Sequence, residues 1–340
     1  MIESPNLHKS IRNPEIVTVG TVNVDLIMGP QAPWPVPGTE VILPNSDMRE
    51  GGGAGITAKA LTALAAQHRM IVNVGNDLFG DWLREQYPGL EDDWIIDAVD
   101  TALTVGITHP DGERTFFSTP GHVAQFQPLE LQNKLAGMDL TNVIVLFVGT
   151  SLMPTIRPSL KEIFKFVHSK GGLVALDTAW PTEGWTQSAR EEVLDWLPLV
   201  DIALLNEVET NGLLELPPQQ KAPDYQRALQ IMPENALFVT KMGPKGARID
   251  KRGSTPLIIP SNNIEVVDTI GAGDSFNAGF LIAFSRGHNI ETCLEVALNT
   301  AALAISSNPR RYPSGREVGL LDPIKERETD NTFNTRKRAV

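Results

Sequence analysis

Hydrophobic residues along the chain gather into short runs of two kinds. Residues 15–20 (EIVTVG), 70–75 (MIVNVG), 142–149 (NVIVLFVG), 172–177 (GLVALD), 201–206 (DIALLN) and 236–241 (ALFVTK) are near-continuous apolar runs rich in β-branched residues. That is the pattern of strands covered on both faces. Between them lie stretches of good helix formers: 56–67, 77–87, 158–171, 189–198, and two more opening near residues 273 and 291. In the first of that last pair, Phe276, Phe280 and Phe284 recur at i, i+4 and i+8, so one helix face packs on a core. Further strands are predicted at 246–250, 256–260 and 264–268. Strands alternating with helices predict an α/β fold, a parallel sheet with helices on both sides, over residues 14–325.

Two segments stand outside the alternation. Pro30, Pro33, Pro35 and Pro37 forbid a long helix, and pieces such as EVILP (40–44) read as exposed strands and turns. Residues 101–117 read as a hairpin turning at Pro110, Asp111 and Gly112. Together, segments of about 29–50 and 98–120 predict a small satellite β-sheet that could act as a lid, and 326–340 a polar tail.

Composition narrows the partners. With 41% hydrophobic and 21% charged residues, the chain is an ordinary globular protein. A net charge of −12 argues against nucleic-acid or anionic-membrane partners, but leaves room for a small anionic substrate in a local positive pocket. The single cysteine, Cys293, allows no internal disulfide and no cysteine metal cluster; it reads as a buried thiol and agrees with a cytoplasmic location. Residues 1–13 have no signal-peptide pattern, and the longest apolar run, 143–148, is far shorter than the ~20 residues of a membrane helix.

Candidate chemistry concentrates at DTIGAGD, residues 268–274, between an expected strand and a helix. Glycines at such a turn let backbone N–H groups converge, and the helix N-terminus adds partial positive charge, which makes an anion site. Asp274 sits at its mouth, where a carboxylate suits deprotonation of an attacking alcohol. The plainer alternative is a tight turn with an acidic first-turn residue. Walker A and GxGxxG patterns are both missing. Near the N-terminus, Asn23 and Asp25 share one face of an extended chain, and an amide with a carboxylate suits a polyol.

Residues 268–280, DTIGAGDSFNAGF, resemble the C-terminal signature of the ribokinase-like (PfkB) carbohydrate kinases, and weaker matches follow in order along about 300 residues. The resemblance implies a ribokinase-like three-layer α/β/α sandwich with a small β lid. It implies ATP and Mg²⁺ as cofactors, a sugar-like acceptor, and possible pairing of two copies through the lid. It assigns the anion hole to Gly271, Ala272 and Gly273, and the catalytic base to Asp274. It assigns sugar hydroxyls to Asn23 and Asp25, and close backbone approach to Gly52 and Gly53. Arg114, in the hairpin, could reach substrate or simply be a solvated charge. Asn206 and Glu209 would approach the phosphates, Glu209 ordering Mg²⁺ through water; a helix N-cap followed by a dipole-facing Glu is the alternative. Lys241 takes the position of a family Thr before Gly243 and Gly246, over the nucleotide, and Asn299 falls near the adenine.

Two departures matter. Ile56 replaces a family Asn, removing a polar substrate contact and favouring a deoxy sugar, a sugar acid or a nucleoside over plain ribose. SSNPRRYPSG, residues 306–315, lacks the small-residue pattern that helps hold a monovalent cation, which leaves K⁺ activation open. Two rival functions stay in view. A nucleoside kinase is kept open by Ile56 and Trp34, and a sugar sensor without turnover is disfavoured by the intact base.

Overall fold

The computed structural model describes residues 15–110, 113–214 and 225–320. The turn at Asp111 and Gly112 and the tail at 326–340 lie outside the described residues. Strand β1 (Ile16–Gly20) passes through Thr21 and Val22 alone into β2 (Asn23–Gly29). There follow β3 (Asn45–Gly51), α1 (Gly53–Ala63), β4 (His68–Ile71), β5 (Asn73–Gly75), α2 (Leu78–Gln86), β6 (Ile95–Asp97), β7 (Leu103–Thr108) and β8 (Arg114–Ser118). The middle of the chain gives α3 (Pro128–Ala136), β9 (Ile144–Val148), α4 (Leu160–Ser169), β10 (Leu173–Asp177), α5 (Gln187–Trp196), β11 (Ile202–Asn206) and α6 (Glu207–Leu214). The last part gives α7 (Tyr225–Ile231), β12 (Leu237–Lys241), β13 (Ala247–Lys251), β14 (Leu257–Ile259), α8 (Ala272–Ser285) and α9 (Ile290–Ile305).

Eight strands make the main sheet in the order β14-β13-β12-β11-β10-β9-β1-β4. From β4 to β12 all neighbours are parallel, and β13 and β14 add an antiparallel edge. Strand residues alternate between two cores. Ile16, Ile144 and Leu146 join α1, α8 and α9, including Phe276 and Phe280 with Phe284 packed alongside. Val17, Val19, Val145 and Phe147 join α3, α4, α5 and α7 on the opposite face. The result is a three-layer α/β/α sandwich, the class the alternation predicts.

A second sheet, in the order β3-β2-β7-β8, stands apart from the main one. Residues paired across strands share a face. Asp25 lies opposite Arg49 and Thr104, and Thr108 opposite Arg114, so Asn23, Asp25, Arg49, Thr104 and Arg114 occupy one polar face. Val105, Ile107 and Phe117 occupy the other and, with Trp34, Val41 and Leu43, line a shallow apolar cavity. Residues 40–44 form no strand.

Three local expectations change. Residues 264–268 are not a strand. The N–H groups of Val267 and Asp268 donate to Ile305 C=O at 2.8 and 3.1 Å, so the segment hangs on the end of α9 instead of a sheet edge. The run 70–75 divides at Val72: β4 belongs to the main sheet, whereas β5 pairs with β6. Helix α3, with Pro128 in its first turn, is not announced by the hydrophobic pattern. Among the described residues no helix is long and apolar enough to cross a membrane.

Candidate active site

Helix α8 opens on Gly271, whose φ of +73° lies in the left-handed region that glycine enters without strain. A Cβ at Gly271 would stand 2.8 Å from Ile56 Cγ2 and 3.3 Å from Arg310 Nη1. Ser275 N–H makes the first helical bond, to Gly271 C=O at 2.9 Å, and Ala272 N–H donates to Thr269 C=O at 3.2 Å. No side chain caps the helix. Ala272 N–H is thereby spent within the turn, which leaves the N–H groups of Gly271, Gly273 and Asp274 to face an anion.

Asp274 lies in this first turn. Its carboxyl is pushed up to about 7, first by burial and then by the Asp177 charge, with Lys241 opposing and Glu209 adding to the rise. Gly53 opens α1 directly across from it: a Cβ there would stand 3.2 Å from Asp274 Oδ1 and 2.6 Å from Val148 Cγ2. Gly52, at φ +85°, presses on the backbone of Thr21 and Val22, where a Cβ would be 2.4 Å from Thr21 O. Thr57 Oγ1 donates to Asp274 C=O at 3.3 Å and ties α1 to α8.

Lys241 turns inward at the end of its strand, its side chain only 11% exposed. Its Nζ donates to Asp177 Oδ2 at 2.7 Å and to Asn277 Oδ1 at 3.2 Å, and Asn277 Nδ2 donates to the same Asp177 oxygen at 2.6 Å. Asp177 ends β10 and Lys241 ends β12, so both sit at the C-terminal edge of the parallel sheet, where open α/β folds bind ligands. Glu209 is buried beside them. Burial first, then Asp177, pushes its carboxyl up to about 7. Asn206 and Glu209 form a reciprocal capping box for α6: Glu209 N–H donates to Asn206 Oδ1 at 2.8 Å and Asn206 N–H to Glu209 Oε2 at 2.9 Å. Lys241 thus pairs directly with Asp177 and acts on Glu209 and Asp274 through its charge alone. Asp177 does not stand out in sequence, and Asn277, although inside the string 268–280, carries no local sign of its partners Lys241 and Asp177.

At the other end of the site, Asn23 Nδ2 donates to Asp25 Oδ1 at 2.6 Å and to Thr104 Oγ1 at 3.3 Å. Burial raises the Asp25 carboxyl, while the Asn23 bond and the charges of Arg49 and Arg310 lower it. Gly51 makes room for it, since a Cβ there would fall 2.4 Å from Asp25 Oδ2. Arg114 reaches across from the small sheet to Asp268 Oδ1 at 2.8 Å.

The remaining candidates mark the antiparallel edge. Gly243 and Gly246, at φ +56° and +99°, turn β12 into β13, and a Cβ on Gly246 would fall 1.9 Å from Ile259 O. Asn299 on α9 accepts from Asn262 Nδ2 at 2.9 Å. Asp77 caps α2: it accepts from Gly80 N–H at 2.8 Å and from Thr101 Oγ1 at 2.6 Å. Trp34 stacks beside Phe117 and His109 at centroid distances of 6.0 Å, in a cavity whose lining does not include Ile56. Among the described residues no group of three or more His, Cys, Asp or Glu side chains is arranged to hold a metal by itself.

Residues 13–313 match the family described as pfkB family carbohydrate kinase. The chain is 27% identical to the ribokinase of Bacillus subtilis over 296 residues, 86% of this chain and 93% of that one. Its fold superposes on the structure of Arabidopsis thaliana ribokinase complexed with ribose and ATP, with a TM-score of 0.76 and 22% identity over 90% of this chain and 97% of that one. A putative ribokinase II from E. coli in complex with ATP and Mg²⁺ gives a TM-score of 0.73 and 20% identity over 90% and 98% of the two chains. On the match over residues 13–313, the chain belongs to the pfkB family of carbohydrate kinases.

Proposed function

We propose that the protein transfers the γ-phosphoryl group of ATP to a hydroxyl of a sugar or sugar-like acceptor, with Asp274 as the general base. The observation that carries this reading is Asp274 itself: a carboxyl raised to about 7, one turn into α8, beside amides open to an anion. A base with that pKa is half ionised at neutral pH, the favourable compromise between being deprotonated and holding the proton it takes. The acceptor oxygen attacks the γ-phosphorus, its proton passes to Asp274, and the bond to the β-phosphate oxygen breaks to release ADP. The N–H groups of Gly271, Gly273 and Asp274 offset charge that develops on the transferring group.

Asn23 and Asp25 would take acceptor hydroxyls. Lys241, Gly243, Gly246, Asn206 and Asn299 would flank the nucleotide. Among the described residues no three His, Cys, Asp or Glu side chains hold a metal by themselves, which agrees with Mg²⁺, an ion that keeps several waters and needs few protein ligands; Glu209 would hold it through water. When bound, Mg²⁺ neutralises phosphate charge. A monovalent cation fits less well. Arg310, in the stretch 306–315, puts its own positive group on Asp268, with Nη2 2.9 Å from Oδ2 and 3.3 Å from the backbone oxygen. The apolar face of the small sheet, with Trp34 and Phe117 half exposed, suits pairing with a second copy of this chain.

The test is acceptor-dependent ADP release over a panel of sugars, sugar acids and nucleosides, in Na⁺ and in K⁺ buffers. Asp274→Ala should lower kcat by ~10²–10⁴ while ATP still binds. A variant with half of wild-type kcat removes Asp274 from the mechanism.

A further inference from the structure

Three arginines from three distant parts of the chain converge on one carboxylate. Arg49 Nη1 lies 2.6 Å from Asp268 Oδ2, Arg114 Nη2 2.8 Å from Oδ1, and Arg310 Nη2 2.9 Å from Oδ2. Ile270 N–H also donates to Oδ1 at 3.0 Å, so the Asp268 carboxylate is fully engaged. The guanidinium groups are not. Arg49 Nη2, Arg114 Nε and Arg310 Nε are buried, and each lacks a hydrogen-bond partner. The side chains are only 17%, 16% and 13% exposed, so water cannot fully repay these donors.

Charge alone does not call for a further anion: Arg49 Nη1 also lies 3.9 Å from Asp47 Oδ2, and the charges of Asp25 and Asp274 act on Arg310. The unpaired donors do, because a buried N–H without an acceptor is costly until one is supplied. The cluster also borders both halves of the site. Arg49 is the cross-strand partner of Asp25 on the polar face of the small sheet. Arg310 Nη1 lies 3.3 Å from where Gly271 would carry a Cβ, at the entrance to α8. Arginine suits this work because its planar fork meets a carboxylate or phosphate with paired donors.

We propose that the acceptor carries an anionic group, a carboxylate or a phosphate, held by the free donors of Arg49, Arg114 and Arg310 while Asn23 and Asp25 take its hydroxyls. This rests on the reading that Asn23 and Asp25 mark the acceptor end of a kinase. It also gives Ile56 a partner explanation: packed on the glycine turn at Gly271, it offers no hydrogen bond, and selectivity passes to the arginines beside it.

The experiment compares matched acceptors at saturating ATP: D-ribose against D-ribonate and D-ribose 1-phosphate, and D-glucose against D-gluconate. Titration calorimetry of the same five compounds runs alongside on the full chain. At least one anionic member should exceed its neutral counterpart tenfold or more in kcat/KM. Ribonate and ribose 1-phosphate separate the two anion classes. Arg114→Gln and Arg49→Gln should each lower kcat/KM for that anionic acceptor at least tenfold more than for the neutral one. Neutral sugars that match or beat every anionic partner overturn the proposal and leave the kinase reading intact. Equal losses on both classes also overturn it and make the trio a clamp between the small sheet and the segment at the end of α9. Arginine-dependent binding of an anionic member without turnover of any acceptor upholds the anion site and sinks the kinase reading. If a variant fails to fold, the wild-type kcat/KM ratio and calorimetry still decide.

Discussion

At the scale of single residues, the raised carboxyl of Asp274 has a cost that can be measured. Its pKa rises from 3.8 to about 7 on folding, so the protonated form is favoured in the native state. Its contribution to stability is full below pH ~4 and is lost as pH rises through about 7. Asp274→Asn mimics the protonated form. It should leave the melting temperature near wild type at pH 4 and raise it by a few degrees at pH 8, while activity collapses; an equal shift at both pH values would contradict the linkage. Lys241 works in the opposite sense, because its charge lowers the Asp274 pKa. Lys241→Met should move the acid limb of the kcat/KM profile to higher pH. It should also destabilise the fold by about 3–5 kcal/mol, since Asp177 is left buried without its cation. Asp274 was legible because the residues around it form one continuous string. Asp177 and Arg310 were not, because folding alone brings them to the site; Asn277 lies in that string, but nothing local shows that it serves Asp177 and Lys241.

Single elements show why some of the chain reads easily and some does not. Strands β9 to β12 announce themselves, because a strand buried on both faces has no polar positions to break its pattern. Residues 264–268 carry the same β-branched signature, yet their amides find Ile305 instead of a strand, and no local pattern encodes that choice. The pair Asn206 and Glu209 had two readings, and the geometry contains the capping one in full. Asn206→Ala should therefore cost about 1–2 kcal/mol through the lost cap of α6, measured by urea unfolding. A change below about 0.3 kcal/mol would show the box to be idle, in which case the pair serves ligands alone.

For the whole molecule, the layered architecture followed from alternation alone, whereas the small sheet was only half visible. Its strands β7 and β8 were expected as a hairpin, but β2 reads from sequence as a continuation of β1. The outer strands carry weak core patterning and should exchange amide hydrogens faster than β9 or β10. A bound acceptor analogue should slow exchange over 45–51 and 103–118; unchanged rates at saturation would rule out ordering of this sheet by ligand.

The direct passage from β1 to β2 has a mechanical consequence. Thr21 and Val22 are buried, and they are held on several sides. Thr21 C=O accepts from Ala54 N–H at 3.0 Å, its hydroxyl accepts from Gly53 N–H at 3.2 Å, and Val22 C=O lies 3.0 Å from His122 Nε2. The small sheet is therefore held at its root through Thr21 and Val22 and latched further out, where Arg49 and Arg114 both pair with Asp268. Asn23 and Asp25 stand beside the root, and Arg114 stands at the latch. Any swing of the sheet would have to break both Asp268 pairs, while Asn23 would hardly move. Root and latch divide the labour: one end of the sheet is fixed by the chain itself, the other only by charge.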